Sequence, residues 1–399
     1  MRADEPAAAG DEHPAALELA DPRIAFAHQS APVADRDQRA AHRHGGRGQR
    51  RGTLALAGPR GAVRAPRRSP WARVVPARPA GPEVTSLRAM ETLALERCPA
   101  CDAADTDRFL LGSHPLLRCR GCDLVYAERY ADPDQIYVDG YLKGEGQWGP
   151  PNVLDPEFAR RLADLNGRRM ELLARVLPDG GRLLDVGCGM GELLVAARDA
   201  GWEAVGVEPV AASAAYARDE RGLDVRTAML ADAGLDRGSF DVVAATHVLE
   251  HMPEGRSFLE HVAEWARPGG YVAIEVPNYG SLQRRTLDEG WIGLRPLEHV
   301  AHYTPDSLRD VFVRAGLEPV SITSPSYLWP ESTLGQALAD LGVHRGGRVL
   351  RKLTRRGQRD GREVRVPTAP LWGALRATER VLDRTGRGGL VFGIARRPG

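Results

Sequence analysis

The sequence predicts a doubly wound α/β fold around a parallel sheet, and three observations predict it. The stretch Arg182–Leu194, RLLDVGCGMGELL, reads as a buried strand, a carboxylate, a glycine-rich turn and the start of a helix. A second apolar run, EAVGVE, ends in Glu208, twenty-one residues past Gly187. That is the spacing at which such folds set an acid against ribose hydroxyls. Strand-like and helix-like segments then alternate: strands 182–187, 203–208, 223–227, 240–246 and 270–276, with helices 191–200, 211–221 and 254–266. A ligand of such a sheet lies at the carboxyl ends of the strands, beside Gly187–Gly191 and Glu208.

The chain has 399 residues, 43% of them apolar, and a net charge of +1. This is enough for a packed core, and no run is long and apolar enough to cross a bilayer. The near-zero charge argues against general nucleic-acid binding. Residues 1–89 hold fifteen arginines and nine acids among Ala, Pro and Gly, with no sustained period of 2 or 3.6. The expectation there is a disordered or spurious N-terminal extension, with Met90 as a candidate start.

Next comes CPACDAADTDRFLLGSHPLLRCRGCDLVY, two C-x-x-C knuckles with seventeen residues between Cys101 and Cys119. This spacing predicts a zinc-ribbon-like module over 90–130, with Cys98, Cys101, Cys119 and Cys122 closing a structural tetrahedron. FLLG and PLLRC suit short strands. Thiols used this way point to a reducing, cytoplasmic setting. Residues 131–180 read as a linker rich in Tyr, Gly and Pro, followed by an amphipathic helix over Phe158–Leu177.

The glycine turn selects the cofactor. Carboxylates at Asp185 and Glu192 flank it, which is poor company for a diphosphate but suits a cationic amino acid and a sulfonium. The residues therefore favour S-adenosylmethionine over NAD. LLDVGCGMG, GVEP, FDVVAATHVLEHMPE and ARPGGYVAIEVPN resemble the successive motifs of the class I S-adenosylmethionine-dependent methyltransferases. The resemblance implies a Rossmann-like seven-stranded sheet with a core over 181–326. Its antiparallel last strand would come from 389–399, paired through LEPVSITS and GGLVFGIARR. It also implies that Gly187, Gly189 and Gly191 line the methionyl part, with Asp185 nearby. Glu208 would bind the ribose diol, and Leu230, Ala231 and Asp232 would meet the adenine. Similar methyltransferases with an upstream four-cysteine module imply a sugar or glycan acceptor, methylated on oxygen or, as an alternative, on carbon. Phenolic, polyketide or other secondary-metabolite oxygens are a further alternative. An NAD-dependent oxidoreductase and a non-catalytic zinc-ribbon adaptor stay open from other classes.

HVLEH, His247–His251, matches an inverted zinc-protease pattern, but it sits in a strand-to-helix crossover with no further ligand evident. His247 lies just past the fourth strand, where the resemblance puts the transferred methyl. His302 lies in a long loop with Trp291, His299 and Tyr303, ahead of a helix over Thr304–Ala315 capped by Thr304. His247 and His302 are the candidate general bases, since imidazole titrates near neutrality. The resemblance also allows a divalent metal at Glu250 and His251. Between the last two strands, 327–388 reads as a helical, basic insertion or cap. Nine basic residues against two acids over Arg345–Arg365 suggest peripheral contact with an anionic membrane.

Overall fold

The computed structural model describes residues 92–132, 136, 154–326, 354–359, 362–367 and 381–399. The chain divides into two units, Met1–Gly61 and Ala62–Gly399. The first lies outside the described residues, as do the rest of the N-terminal extension and most of the linker and the insertion.

A seven-stranded sheet forms the centre. Its strands are β6 (Arg182–Val186), β7 (Glu203–Val207), β8 (Asp224–Arg226), β9 (Phe240–Thr246), β10 (Ala266–Pro277), β12 (Glu318–Thr323) and β15 (Leu390–Arg396). They lie in the order β12-β15-β10-β9-β6-β7-β8. Strand β15 runs antiparallel to both neighbours, whereas β6 to β10 pair in parallel. The order reverses beside β6, which puts a crevice at the carboxyl ends of β6 and β9. Runs such as LLDV and VVAA are buried throughout because helices cover both faces.

The helices are α1 (Pro156–Ala174), α2 (Glu192–Asp199), α3 (Ala211–Asp219), α4 (Gly255–Ala263), α5 (Leu282–Leu287) and α6 (Pro305–Arg314). Helix α6 starts as its sequence predicts. Thr304 accepts from the Ser307 amide, and Ser307 reciprocates toward the Thr304 amide in a capping box. One side of the sheet packs with α1, α2 and α3 through Met170, Leu193, Leu194 and Ala217. The other packs with α4 and α6 through Phe258, Leu259, Leu308 and Phe312. Among the described residues no helix is long and apolar enough to cross a membrane.

The cysteine segment folds as β2 (Thr106–Leu111), β3 (His114–Cys119) and β4 (Val125–Ala127), flanked by the β1 (Thr92–Ala94) and β5 (Arg129–Ala131) pair. It is built into the core of the main sheet. Leu95, Cys98, Ala100, Cys119, Leu124 and Tyr126 belong to the same apolar cluster as Val186, Phe240 and Tyr303. A strand from the far loop, β11 (Ala301–His302), also completes its sheet by pairing with β4.

The helical reading of the insertion is corrected in part. Residues 381–384 are helical, but β13 (Thr354–Arg359) and β14 (Arg362–Pro367) pair as an antiparallel ribbon. Asp360-Gly361 between them is a residue pair favoured in two-residue hairpin loops, and REVRVP alternates with period two. Residues 333–343, whose TLGQALADLGV spacing is part of that helical reading, lie outside the described residues.

Candidate functional site

The cofactor end is backbone geometry first. After β6 the chain turns through Gly187, Gly189 and Gly191 at φ of 72°, 56° and 82°. Space as well as conformation demands glycine at two of them. A Cβ at Gly187 would stand 2.8 Å from Val248 Cγ2, and one at Gly191 2.4 Å from Leu223 Cδ1. The Gly187 and Cys188 amides donate to the Val207 carbonyl at 2.8 and 3.1 Å. Glu208 sits at the end of β7, where its Oε2 accepts from the Gly189 amide at 2.9 Å and its Oε1 from the Val210 amide at 2.8 Å. Burial pushes its carboxyl up, and the two amides pull it back.

Asp185 lies in β6, 2% exposed, and its Oδ1 has no hydrogen-bond partner among the described residues. Burial pushes its carboxyl up to about 8, against the pull of Arg169. A buried acid held so close to neutrality fits an incoming cation, which would restore its charge. Glu192 plays a different part from the one its sequence position suggests. It pairs with Arg221 at 3.1 Å, so Asp185 carries the electrostatic argument alone. Leu230–Asp232 forms a short 3-10 turn, with Leu230 buried and Ala231 and Asp232 exposed.

The acceptor end is side-chain chemistry. His247 follows β9 with φ of 57°, a left-handed conformation that costs a non-glycine residue about 1 kcal/mol or more. Its Nδ1 faces Glu250 Oε1 at 3.0 Å and its Nε2 faces Glu275 Oε1 at 3.4 Å. Glu275, fully buried in β10, pairs with the buried Arg169 of α1, whose Nη1 donates to Asn166 Oδ1 at 2.5 Å. Burial opposes a charge on His247, but the two carboxylates override it and push the imidazole up to about 9. Burial likewise opposes a charge on Glu275, yet Arg169 and His247 hold its carboxyl down to about 2. His247 nevertheless keeps 41% of its side chain exposed, so one edge of this network is open.

His302 is not open. It is buried in β11 with its ring 5.6 Å from Tyr279 and 6.2 Å from Trp291. Burial, with a smaller push from Arg284, drives it down to about 3, so it stays neutral. The structure therefore separates the two candidate bases by exposure: His247 is part open, and His302 is packed against Tyr279 and Trp291.

Two groups have metal-ligand geometry. Cys98 and Cys122 place their sulfurs 3.5 Å apart, and Cys101 and Cys119 3.4 Å apart. All four ligand atoms fall within 4.8 Å of one another. Tetrahedral zinc with thiolates at about 2.3 Å needs sulfurs about 3.8 Å apart, so these residues fit it. Glu250, His251 and His299 form the second group, also within 4.8 Å. The two imidazoles place Nδ1 against the Glu298 and Gly293 carbonyls at 3.0 and 2.9 Å, an arrangement that fixes ring orientation.

Sequence reasoning missed Arg169, Asn166 and Glu275. The signal for Glu275 was an acid inside the otherwise apolar run YVAIEVP. Arg169 carried none, because a helical arginine is ordinarily solvent-facing.

A family model described as a methyltransferase domain matches residues 158–322. The chain is 30% identical over 209 residues to the ubiquinone biosynthesis O-methyltransferase of Bordetella avium, covering 49% of this chain and 85% of that protein. The protein of the same name from Nitrobacter winogradskyi is 28% identical over 219 residues, covering 46% of this chain and 78% of that protein. These relatives do not support the sugar or glycan acceptor expected from the cysteine module, since their names place them in ubiquinone biosynthesis.

Proposed function

Because the chain belongs to the class I S-adenosylmethionine-dependent methyltransferases, we propose that it methylates an acidic hydroxyl, a phenol or enol, on a small organic acceptor. Asp185 receives the charged amino-acid end of the cofactor, with Gly187, Gly189 and Gly191 beneath its methionyl part. Glu208 takes the ribose diol, and Leu230–Asp232 borders the adenine. When bound, the cofactor would supply a sulfonium methyl to an acceptor oxygen that has given its proton to solvent, and S-adenosylhomocysteine would be the leaving group.

The observation that carries the acceptor class is His247 between Glu250 and Glu275. An imidazole pushed up to about 9 is a cation at neutral pH. It is therefore already protonated as a base, and with both N–H groups facing carboxylates it acts on an acceptor oxyanion through its charge. Such a cation suits an oxygen that ionises near 10, as a tyrosine phenol does. A sugar hydroxyl ionises far above that range. The names of the relatives support the same acceptor class.

Cys98, Cys101, Cys119 and Cys122 hold a structural zinc on this reading, since four thiolates leave no open position. A second reading adds a divalent metal at Glu250, His251 and His299, a donor set that a borderline metal accepts and that would orient an acceptor oxygen. Loss of turnover to a chelator that leaves the cysteine zinc in place would favour it. The nine basic residues of Arg345–Arg365 suit contact with an anionic bilayer that stores a lipophilic acceptor; vesicle flotation at low and high salt tests that.

The deciding experiment incubates the protein with S-adenosylmethionine and a panel of a catechol, an enol and a nucleotide sugar, and weighs the products. Methyl addition to the catechol or enol is expected. Methylation of the sugar alone would overturn the acceptor class, and calorimetry showing NAD binding without S-adenosylmethionine binding would overturn the rest.

A further inference from the structure

We infer that the four-cysteine module is a positioning element for the acceptor end of the cleft, acting on the Glu250 turn through Tyr303 and the strand before it. The inference rests on the zinc reading of the cysteines.

Three connections on one side of the sheet carry it. First, the Pro99 carbonyl, inside the first knuckle, accepts from the Arg256 amide at 3.0 Å in the first turn of α4, directly after the Glu250 turn. Second, a hydrogen-bond line runs out of the module. The Ala127 amide of β4 donates to the Val300 carbonyl at 2.8 Å, and the Val300 amide donates to the Glu250 carbonyl at 2.7 Å. Third, Tyr303 is fully buried and packs in the same apolar cluster as Cys98, Cys119 and Leu249 of the Glu250 turn. Its hydroxyl lies 2.5 Å from where a Cβ on Gly255 would stand, with Pro99 O 3.6 Å from the same point.

Two buried oxygens lie at this junction. Among the described residues neither the Tyr303 hydroxyl nor Glu250 Oε2 has a hydrogen-bond partner, although both are buried. Tyr303 is therefore held by the packing around it, whereas Glu250 is also held through its other oxygen by His247. Loosening the knuckle removes that packing, because Cys98 and Tyr303 share one apolar cluster. The glycine-loop helix α2 packs in the other cluster, through Leu193 and Leu194. Metal loading thus bears first on the acceptor end, whose backbone is hydrogen-bonded to the module, and least on α2.

The test uses the full-length protein. Elemental analysis should find about one zinc per chain; its absence overturns both the zinc reading and this inference. The metal is then stripped with a thiol-directed mercurial and a chelator, and amide exchange is followed by mass spectrometry. Exchange in peptides covering 247–256 and 297–303 should rise at least tenfold. Peptides covering α2, residues 192–199, and the affinity for S-adenosylhomocysteine should change less than about twofold. Zinc present with no difference between the two regions overturns the inference and leaves the zinc reading standing. A second arm keeps the metal and covers the case in which stripping unfolds the chain. Gly255→Ala should raise exchange at 247–256 severalfold with zinc content and S-adenosylhomocysteine affinity intact. Adding Tyr303→Phe, which removes the hydroxyl facing the new methyl, should restore protection. A silent Gly255→Ala, or no rescue, overturns the inference.

Discussion

At the cofactor end, two backbone amides hold one carboxylate. Glu208 is fixed by Gly189 and Val210, residues on either side of a single strand-to-helix crossing. At the acceptor end, side chains from α1, β9, the turn after it and β10 hold one another: Arg169, His247, Glu250 and Glu275. The first arrangement is local and short in sequence. The second closes over more than a hundred residues, from Arg169 to Glu275. A local site tolerates changes elsewhere in the core, whereas a distributed one couples its chemistry to the stability of the whole domain.

Arg169→Leu should therefore have the largest effect. It leaves Glu275 buried without its main counter-charge, a change that typically costs about 3–5 kcal/mol. Urea denaturation should register it, and Arg169→Leu/Glu275→Leu should recover more than half. The pH dependence follows with a definite sign. Glu275 is held down to about 2, so its contribution is present above its ordinary carboxylate range and is lost as pH falls through 2. His247 is raised to about 9, so its contribution is full below its ordinary range and is lost as pH rises through 9. Stability that peaks at either extreme would break the comparison.

Glu208→Ala should come next and spare the fold. It removes an acceptor for the ribose and unpins two amides, and charge-assisted hydrogen bonds are worth about 1.5–3 kcal/mol each. Affinity for S-adenosylmethionine should fall about 10²-fold by calorimetry, with a loss of stability smaller than that of Arg169→Leu. An equal loss of stability would mean that the cofactor end is no more local than the other.

The same contrast decides what was legible in the sequence. The glycine turn and Glu208 belong to one βαβ unit, β6-α2-β7, where period, spacing and residue type all report the same geometry. The cysteine tetrahedron was legible for the same reason, each knuckle being a four-residue motif. The Arg169–Glu275–His247 network was not, because no local pattern distinguishes a buried helical arginine from a solvated one. The base candidates show the limit plainly. His247 and His302 are equivalent as residues, and only the pairing of β11 with β4 puts His302 behind Tyr279 and Trp291. Glu192 erred the other way, since Arg221 reaches it from beyond α3.

A smaller effect tests Asp185. With its carboxyl raised to about 8, most of it is protonated at pH 7 in the free protein. A cationic ligand beside it lowers that value and releases a proton. Calorimetric titration of S-adenosylmethionine at pH 7 in buffers of different ionisation enthalpy should show release approaching one proton. Asp185→Asn should abolish the buffer dependence. Buffer-independent heats in the unmodified protein would mean that the ligand's charge lies elsewhere.

The smallest change should be His302→Phe. A ring replaces a ring in a buried, neutral wall, so turnover of a catechol should stay within about tenfold, because losing a true general base costs 10²–10⁴-fold. His247→Gln, which keeps a polar side chain but removes the cation, should lose far more than His302→Phe and should flatten the decline in turnover as pH rises through 9. Turnover that instead rises through 9 in the unmodified protein would make His247 a base after all. A pH limb well below 9 would point to a metal at Glu250, which takes the carboxylate's charge away from the imidazole. Either result moves the open edge of the network from holding an oxyanion to making one.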